Sequence, residues 1–294
     1  MKKLMFAVSA ALCATVGFSD VTSANVVGYV NADTMSTVVD QNKKAFTLMG
    51  IPFRGLNATG NISLNDLVFS DAKFNRSPTP VSGNVPDQIW LWVDTGKGVW
   101  NYKQFYFKGT SLAAAAWYDV GNTTVSFDSL YPNGIPAGTG FWFCRDTPAT
   151  PITMTASGEV SSIDRDVTIM RGKFQFVSCP FPMRLKLNDK TMLDASKCAF
   201  NRSPTPVSGT TPDQIWLWVD LGNGNWNYKQ FYFKGTSAAA AAWYDVGNTT
   251  VSFDSLYPDG IPLCAGFWFY SSEKNSGEDY TITFKSPIPQ STAE

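Results

Sequence analysis

Phe74-Asn-Arg-Ser-Pro-Thr-Pro-Val-Ser-Gly83 and Phe200-Asn-Arg-Ser-Pro-Thr-Pro-Val-Ser-Gly209 are one decapeptide written twice. The offset of 126 then holds without a gap from Phe74–Pro136 to Phe200–Pro262. These 63-residue blocks differ only at Asn84/Thr210, Val85/Thr211, Thr95/Leu221, Lys97/Asn223, Val99/Asn225, Leu112/Ala238 and Asn133/Asp259, so 56 positions match. A period of this kind decides the architecture before any secondary structure is read. The flanks match more loosely: Phe46-Thr-Leu-Met-Gly-Ile-Pro-Phe53 resembles Phe174-Gln-Phe-Val-Ser-Cys-Pro-Phe181, and Gly138-Thr-Gly-Phe-Trp-Phe143 resembles Cys264-Ala-Gly-Phe-Trp-Phe269. Each unit therefore runs from an opening strand through the shared block to a closing strand, predicting two modules of one fold at 25–157 and 158–294. The length of 294 residues agrees, at roughly 150 per domain. A recent duplication keeps functional and idle residues alike, so the identity marks no site. The block is nevertheless tighter than its flanks, as gene conversion or a common task would leave it.

The local signals inside the block are β. Gln88–Val93 and Val99–Phe107 are rich in aromatic and branched residues, and Gly96 and Gly98 punctuate the gap, which predicts a hairpin. Further strands are expected at Val26–Val30, Phe46–Ile51, Thr123–Phe127, Gly140–Cys144 and Pro151–Ala156, with turns at Tyr131-Pro-Asn-Gly134 and around Pro78 and Pro80. Short helical pieces are expected at Leu64–Phe69 and at the alanine runs 113–116 and 238–242. Short strands at fairly regular spacing predict an all-β, mainly antiparallel chain, each module a sandwich or a partly open barrel.

Composition narrows the function. Hydrophobic residues make up 44% of the chain and charged residues only 16%, against about 25% charged in an ordinary soluble domain, which disfavours long disorder and nucleic-acid binding. The chain has no histidine, so Ser-His-Asp and Cys-His catalysis, imidazole zinc sites and histidine pH switching are closed to it. Lys2 and Lys3 followed by the uncharged apolar stretch Leu4–Phe18 read as a secretory signal, with cleavage after Ala24 preferred to Ser19. Lipid attachment at Cys13 is disfavoured by the bulky Leu12 before it. Cleavage would leave 21 Lys+Arg (23 minus Lys2 and Lys3) and 23 Asp+Glu (24 minus Asp20), a net charge of −2. No later stretch reaches the roughly 18 apolar residues of a transmembrane helix, and the chain is expected at the cell surface or outside the cell, with the periplasm as the alternative. Cys144, Cys179, Cys198 and Cys264 would permit two disulfides in any of three connectivities, and none forms a Cys-x-x-Cys pair.

The side chains that best suit a ligand lie on the hairpin. With a three-residue loop, Thr95–Lys97, Asp94 faces Gly98, Trp92 faces Trp100 and Trp90 faces Tyr102, giving a four-aromatic stripe that recurs as Trp216, Trp218, Trp226 and Tyr228. A flat aromatic face beside Asp, Asn and Gln suits sugar rings, which present apolar C–H faces and hydroxyls. A four-residue loop, Thr95–Gly98, would instead set Trp92 opposite Asn101. Ile89, Leu91 and Val93 make the other face apolar too, so one of the two faces must be core.

Other chemistry finds less support. Asp94-Thr95-Gly96 has the form of an aspartic-protease turn, but the copy reads Asp220-Leu221-Gly222 and lacks the hydroxyl. Glu159, Glu273, Glu278 and Glu294 all lie outside the block, so a glycosidase would need an aspartate pair drawn from Asp87, Asp94, Asp119 and Asp128 or their copies Asp213, Asp220, Asp245 and Asp254, all in turn-like contexts. A calcium loop at Asp220–Asn225 fails in the first copy, where Lys97 and Val99 stand. No metal or cofactor is expected. Asn-x-Ser/Thr occurs at Asn57, Asn61, Asn75, Asn122, Asn201 and Asn248, which carries no meaning in a bacterial source. Arg76, Lys103 and Lys108 recur but are dispersed, as on a solvated face.

Ala24-Asn-Val-Val-Gly-Tyr-Val30, the Phe46–Phe53 strand, Asp87-Gln-Ile-Trp90 and Gly138–Phe143 together resemble an uncharacterised family of exported repeat proteins from Verrucomicrobia-like bacteria. The resemblance covers most of the chain after residue 24 and implies bacterial export and a β fold, with no activity and no functional residues to carry over. The leading expectation is a non-enzymatic exported protein with a structural or adhesive role at the surface, acting by self-association or bivalent capture. The alternative is a bivalent binder of extracellular polysaccharide through the two aromatic faces. A carbohydrate-active hydrolase with an Asp pair stands third.

Overall fold

A computed structural model describes residues 26–34, 44–69, 75–80, 85–111, 114–146, 151–195, 197–206, 211–272 and 278–288. The expected signal segment, Phe74, Val81–Asn84, Ala113 and Glu273 lie outside these residues. The first module contains β1 (Val26–Asp33), β2 (Ala45–Gly50), β3 (Val68–Phe69), β4 (Gln88–Asp94), β5 (Trp100–Lys108), β6 (Ala116–Asp119), α1 (Phe127–Leu130), β7 (Gly140–Arg145) and β8 (Thr153–Val160). The second contains β9 (Arg165–Ile169), β10 (Phe174–Ser178), β11 (Gln214–Asp220), β12 (Trp226–Lys234), β13 (Ala242–Asp245), α2 (Phe253–Leu256), β14 (Gly266–Tyr270) and β15 (Tyr280–Phe284). Each module has one five-stranded antiparallel sheet, ordered β2-β7-β4-β5-β6 and β10-β14-β11-β12-β13. A smaller sheet, β1-β8-β3 in one module and β9-β15 in the other, completes each sandwich, and no barrel closes among the described residues. β8 stays paired with β1 up to Val160↔Val26, so the strand crosses the expected module boundary at 157.

Three local expectations change. Thr123–Phe127 is a turn followed by a helix: Asn122 Oδ1 accepts from Thr124 N and Oγ1, and Ser126 caps α1 by accepting from Ser129 N. Leu64–Asp66 is a 3-10 turn closed by a Ser63/Asp66 capping box, and the chain then enters β3 instead of extending the helix. The alanine runs end in strands, because Ala116 and Ala242 open β6 and β13. Those strands bury Trp117 and Trp243 almost completely, and burial of that size overrides alanine's helix preference.

The odd-numbered face of each hairpin makes the module core. Ile89, Leu91, Phe105, Phe141 and Phe143 pack on Val30, Met154 and Ala156 of the small sheet in the first module. Ile215, Leu217, Phe231, Phe267 and Phe269 pack on Ile169, Ile282 and Phe284 in the second. The even-numbered faces of both large sheets meet in a third cluster: Leu48, Trp142 and Cys144 against Phe176 and Trp268, flanked by the hairpin aromatics of both copies.

Main-chain bonds across this seam follow a pseudo-two-fold axis. Gly50 N donates to Cys264 O at 2.8 Å, and Ser178 N donates to Gly138 O at 2.8 Å. The bridges Met49↔Ala265 and Thr139↔Val177 form the matching pair. Ser178 holds in the second copy the place of Gly50 in the first, as Cys264 holds that of Gly138, so each contact is the other's image and the two modules meet as an isologous dimer built into one chain. The axis is tight: a Cβ on Gly50 would lie 2.0 Å from Ser178 Cβ. Gly50→Ala is expected to destabilise the chain by about 1–3 kcal/mol through overpacking. Adding Ser178→Gly, which moves the methyl-sized group to the other side of the axis, should restore most of that in urea unfolding; failure of the double variant to recover would place the strain elsewhere.

Candidate functional site

The hairpin loop is longer than either expected form. Asp94 pairs with Trp100, Trp92 with Tyr102 and Trp90 with Gln104, leaving Thr95–Val99 as a five-residue loop. Thr95 N and Oγ1 both donate to Val99 O at 2.8 Å, and Gly96, Lys97 and Gly98 all have positive φ, which two glycines make easy. Asp94 Oδ1 accepts from Gly96 N at 2.7 Å. The expected pairs Trp92–Trp100 and Trp90–Tyr102 are therefore corrected by two residues, and the four-residue alternative fails as well. A shift of two keeps parity, so Trp90, Trp92, Trp100 and Tyr102 still share a face. Trp216, Trp218, Trp226 and Tyr228 do the same through Trp218↔Tyr228 and Asp220↔Trp226.

All eight aromatics are half-buried, and Trp92, Tyr102 and Trp218 lie against the other module. Trp92 packs edge-on to Trp268 at 5.3 Å and donates its indole N–H to Phe174 O at 2.9 Å. Trp142 meets Trp218 edge-on at 5.5 Å, and Tyr102 meets Phe176 at 6.1 Å. Trp90 and Trp216 donate to Gln88 and Gln214 of their own strands, each at 2.8 Å. Burial pushes the Tyr228 phenol up to about 12, while Trp268 Nε1 donates to its oxygen at 3.0 Å. The inner part of each stripe is thus covered by the neighbouring strands of the other module.

Where the seam reaches the surface, it opens into a groove beside the second hairpin. Two adjoining compartments of about 420 and 390 Å³ share Leu48, Arg184, Trp218, Trp226, Pro262 and Ala265. The first adds Asp220, Tyr257 and Asp259; the second adds Asn31, Asp33 and Thr47 from the first module. A smaller hollow of about 310 Å³, lined by Trp92, Phe174, Trp216, Tyr228 and Trp268, offers one phenol as its polar group. Of these hollows, the larger groove combines aromatic walls with several hydrogen-bonding groups, as small-ligand sites do.

Leu48, Arg184 and Asp33 were not legible as site residues, because they lie outside the shared blocks. The groove arises where they differ. Leu48 has Phe176 as its counterpart, whose ring lies 3.7 Å from that of Trp268. Arg184 precedes Leu185, which bridges Ile261; the corresponding bridge Ile62↔Ile135 is preceded by Asn61. Subtracting one flank from the other marks Leu48 and Arg184.

The duplicated aspartates hold the frame. Asp119 and Asp245 accept from Lys103 and Lys229 at 2.6 Å and from Gly121 and Gly247 N. Asp128 accepts from Ser63 Oγ and from Asn65 Nδ2. Asp220 accepts from Gly222 and Gly224 N. Asp87 and Asp213 are wholly buried, and desolvation pushes both carboxyls up, Asp87 to about 6. Asp87 is paired with Arg145 at 3.2 Å. Ser271 stands at the corresponding place in the second module, and there Tyr280 Oη donates to Asp213 at 2.6 Å and Ser272 N at 2.8 Å.

Among the described residues no group of three or more Cys, Asp or Glu is placed to hold a metal ion. Cys144, Cys179, Cys198 and Cys264 are free thiols, and burial pushes Cys179 and Cys264 up to about 12, far from a reactive thiolate. Among the described residues no helix is long and apolar enough to cross a membrane. Comparison with family models, curated proteins and solved structures finds no match to this chain.

Proposed function

We propose that the chain is an exported surface protein with a structural or adhesive role, acting as one rigid two-module block. The observation that carries this reading is the seam: two sheets clasped by reciprocal main-chain bonds, Gly50 N to Cys264 O and Ser178 N to Gly138 O, over a continuous aromatic layer. A structural block needs modules that do not hinge, and a large apolar interface removes the domain motion that a polar one permits. Because the repeated faces satisfy each other within one chain, they are not available for assembly between chains. Val26, Val27 and Tyr29 of β1 are exposed, the last 75%, and offer a separate surface for attachment.

The test is protease shaving of intact source cells that carry the chain with a C-terminal tag, together with an attachment assay on a deletion strain. The tagged chain should be lost to added protease and the deletion strain should attach less well. A chain protected until the envelope is lysed, with attachment unchanged, would overturn the reading. A second reading, carbohydrate binding, draws on the groove at Arg184, Trp218 and Trp226. Its bivalent form fits poorly, since a ligand reaching both stripes at once would have to part the modules.

A further inference from the structure

We infer that the seam groove is a single binding site for a neutral oligosaccharide, gripped by Trp226, Trp218 and Arg184 and floored by both modules. The inference rests on the carbohydrate reading and replaces its two symmetric platforms with one asymmetric cleft.

Four observations lead to it. The first is shape: two compartments of about 420 and 390 Å³ joined through six shared residues make an elongated trough, each part within the size of an ordinary ligand pocket. The second is the wall. Trp218 and Trp226 are both half-buried, so part of each indole remains open to stack on the C–H face of a sugar ring. Trp218 is also held less firmly than its copy, since its indole N–H finds no partner among the described residues whereas Trp92 donates to Phe174 O.

The third is the polar set. Arg184 is exposed in both compartments and makes no hydrogen bond or ion pair among the described residues, so its planar donors are open to vicinal hydroxyls. Asn31 and Asp33 stand on β1 across from it, their side chains accepting from Thr155 and Thr153 with further acceptor capacity left over. The fourth is charge. One cation, Arg184, faces three carboxylates, Asp33, Asp220 and Asp259. That balance repels a uronate or phosphate chain and suits an uncharged polyol that both donates and accepts.

Asymmetry makes the site single. The pseudo-two-fold axis would generate a second groove at Trp92 and Trp100, but there Phe176 replaces Leu48 and Asn61 replaces Arg184. A longer loop, residues 54–61, also stands where the second module has only 182–184.

The experiment is isothermal titration of the purified full chain with cellohexaose, xylohexaose and mannohexaose, and with a galacturonate hexamer as the anionic comparison, while tryptophan fluorescence is followed. One of the neutral hexasaccharides should bind at one equivalent per chain, with the galacturonate hexamer at least tenfold weaker. Trp226→Ala should weaken binding by more than tenfold. Arg184→Gln, an exposed change that leaves packing alone, should weaken it by about three- to tenfold, the loss of one charge-assisted contact. Leu130→Ala, the first-module copy of the groove residue Leu256, should change nothing. Binding at two equivalents, or binding indifferent to both Trp226→Ala and Arg184→Gln, would overturn the groove while leaving carbohydrate binding intact. Binding of none of the four hexasaccharides would overturn both, whereas preference for the galacturonate hexamer would overturn the neutral-ligand groove and leave carbohydrate binding intact.

Discussion

Replacing Trp92 and Trp218 together by alanine is expected to cost about 6 kcal/mol or more, enough to unfold most of the chain at ordinary temperature. Each truncation removes a large aromatic side chain from a packed layer, for which about 3–5 kcal/mol is usual, and a whole domain is stable by only about 5–15 kcal/mol. Trp92 loses an edge contact to Trp268, another to Tyr102 at 4.9 Å, and its bond to Phe174 O. Trp218 loses its contacts to Trp142 and to Tyr228 at 4.9 Å. The two sites share the same aromatic layer, so their effects need not add and the pair measures the seam as a unit. Both single variants should already lower the urea midpoint, because each side chain belongs to one module and packs on the other. If the stripes worked as exposed platforms, the double variant would fold within about 1 kcal/mol of the parent. That outcome would refute the seam, and the idea of one rigid block would fall with it.

The reason the seam escaped the sequence lies in Gln88–Asp94. Ile89, Leu91 and Val93 on one face and Trp90 and Trp92 on the other make the strand apolar all round, the pattern of a strand covered on both sides. One module can cover only one face of its own large sheet, with its small sheet, and the pattern thus already asked for a second layer. The duplication supplied that layer, but the axis relating the copies depends on Gly50, Ser178, Gly138 and Cys264, which lie in the loosely matching flanks. The β class, the hairpin and the pair of similar five-stranded sheets were open to reading because strand periodicity and an ungapped repeat can be read directly along the chain. The loop register was not, because Gly96-Lys97-Gly98 accommodates three successive positive-φ residues as readily as a tighter turn. Arg184 carried no motif at all; its role comes from a loop that is shorter in the second copy, which is visible only when the two flanks are compared.

Arg145→Met is expected to cost about 3–5 kcal/mol at pH 7.5 and about 1 kcal/mol or less at pH 4, because it leaves a buried carboxylate without its cation. Asp87 and Arg145 are both almost wholly buried, and Asp87 is further held by Asn75 N at 3.0 Å. Burial raises the Asp87 carboxyl from 3.8 to about 6, with Arg145 as the largest opposing influence. A folded-state value above the unfolded one means the fold prefers the protonated carboxyl. The contribution is complete below about pH 4 and is lost as pH rises through about 6. Without Arg145 the carboxyl rises further, so the gap between variant and parent should open between pH 4 and pH 7.5. Urea midpoints at the two pH values measure it. Asp87→Asn in the same chain should close the gap, since the amide needs no counter-charge and its oxygen still accepts from Asn75 N. Equal losses at both pH values would mean that Arg145 serves by filling space. Asp213 reaches the same end without a directly paired guanidinium: Tyr280 Oη, Ser272 N and Asn201 N surround it with donors and Arg171 adds a smaller Coulombic attraction, so its ionised form is stabilised mainly by hydrogen bonds. Tyr280→Phe should therefore reproduce in the second module the pH signature of Arg145→Met in the first, and the two modules would be shown to have kept one buried aspartate by two different routes.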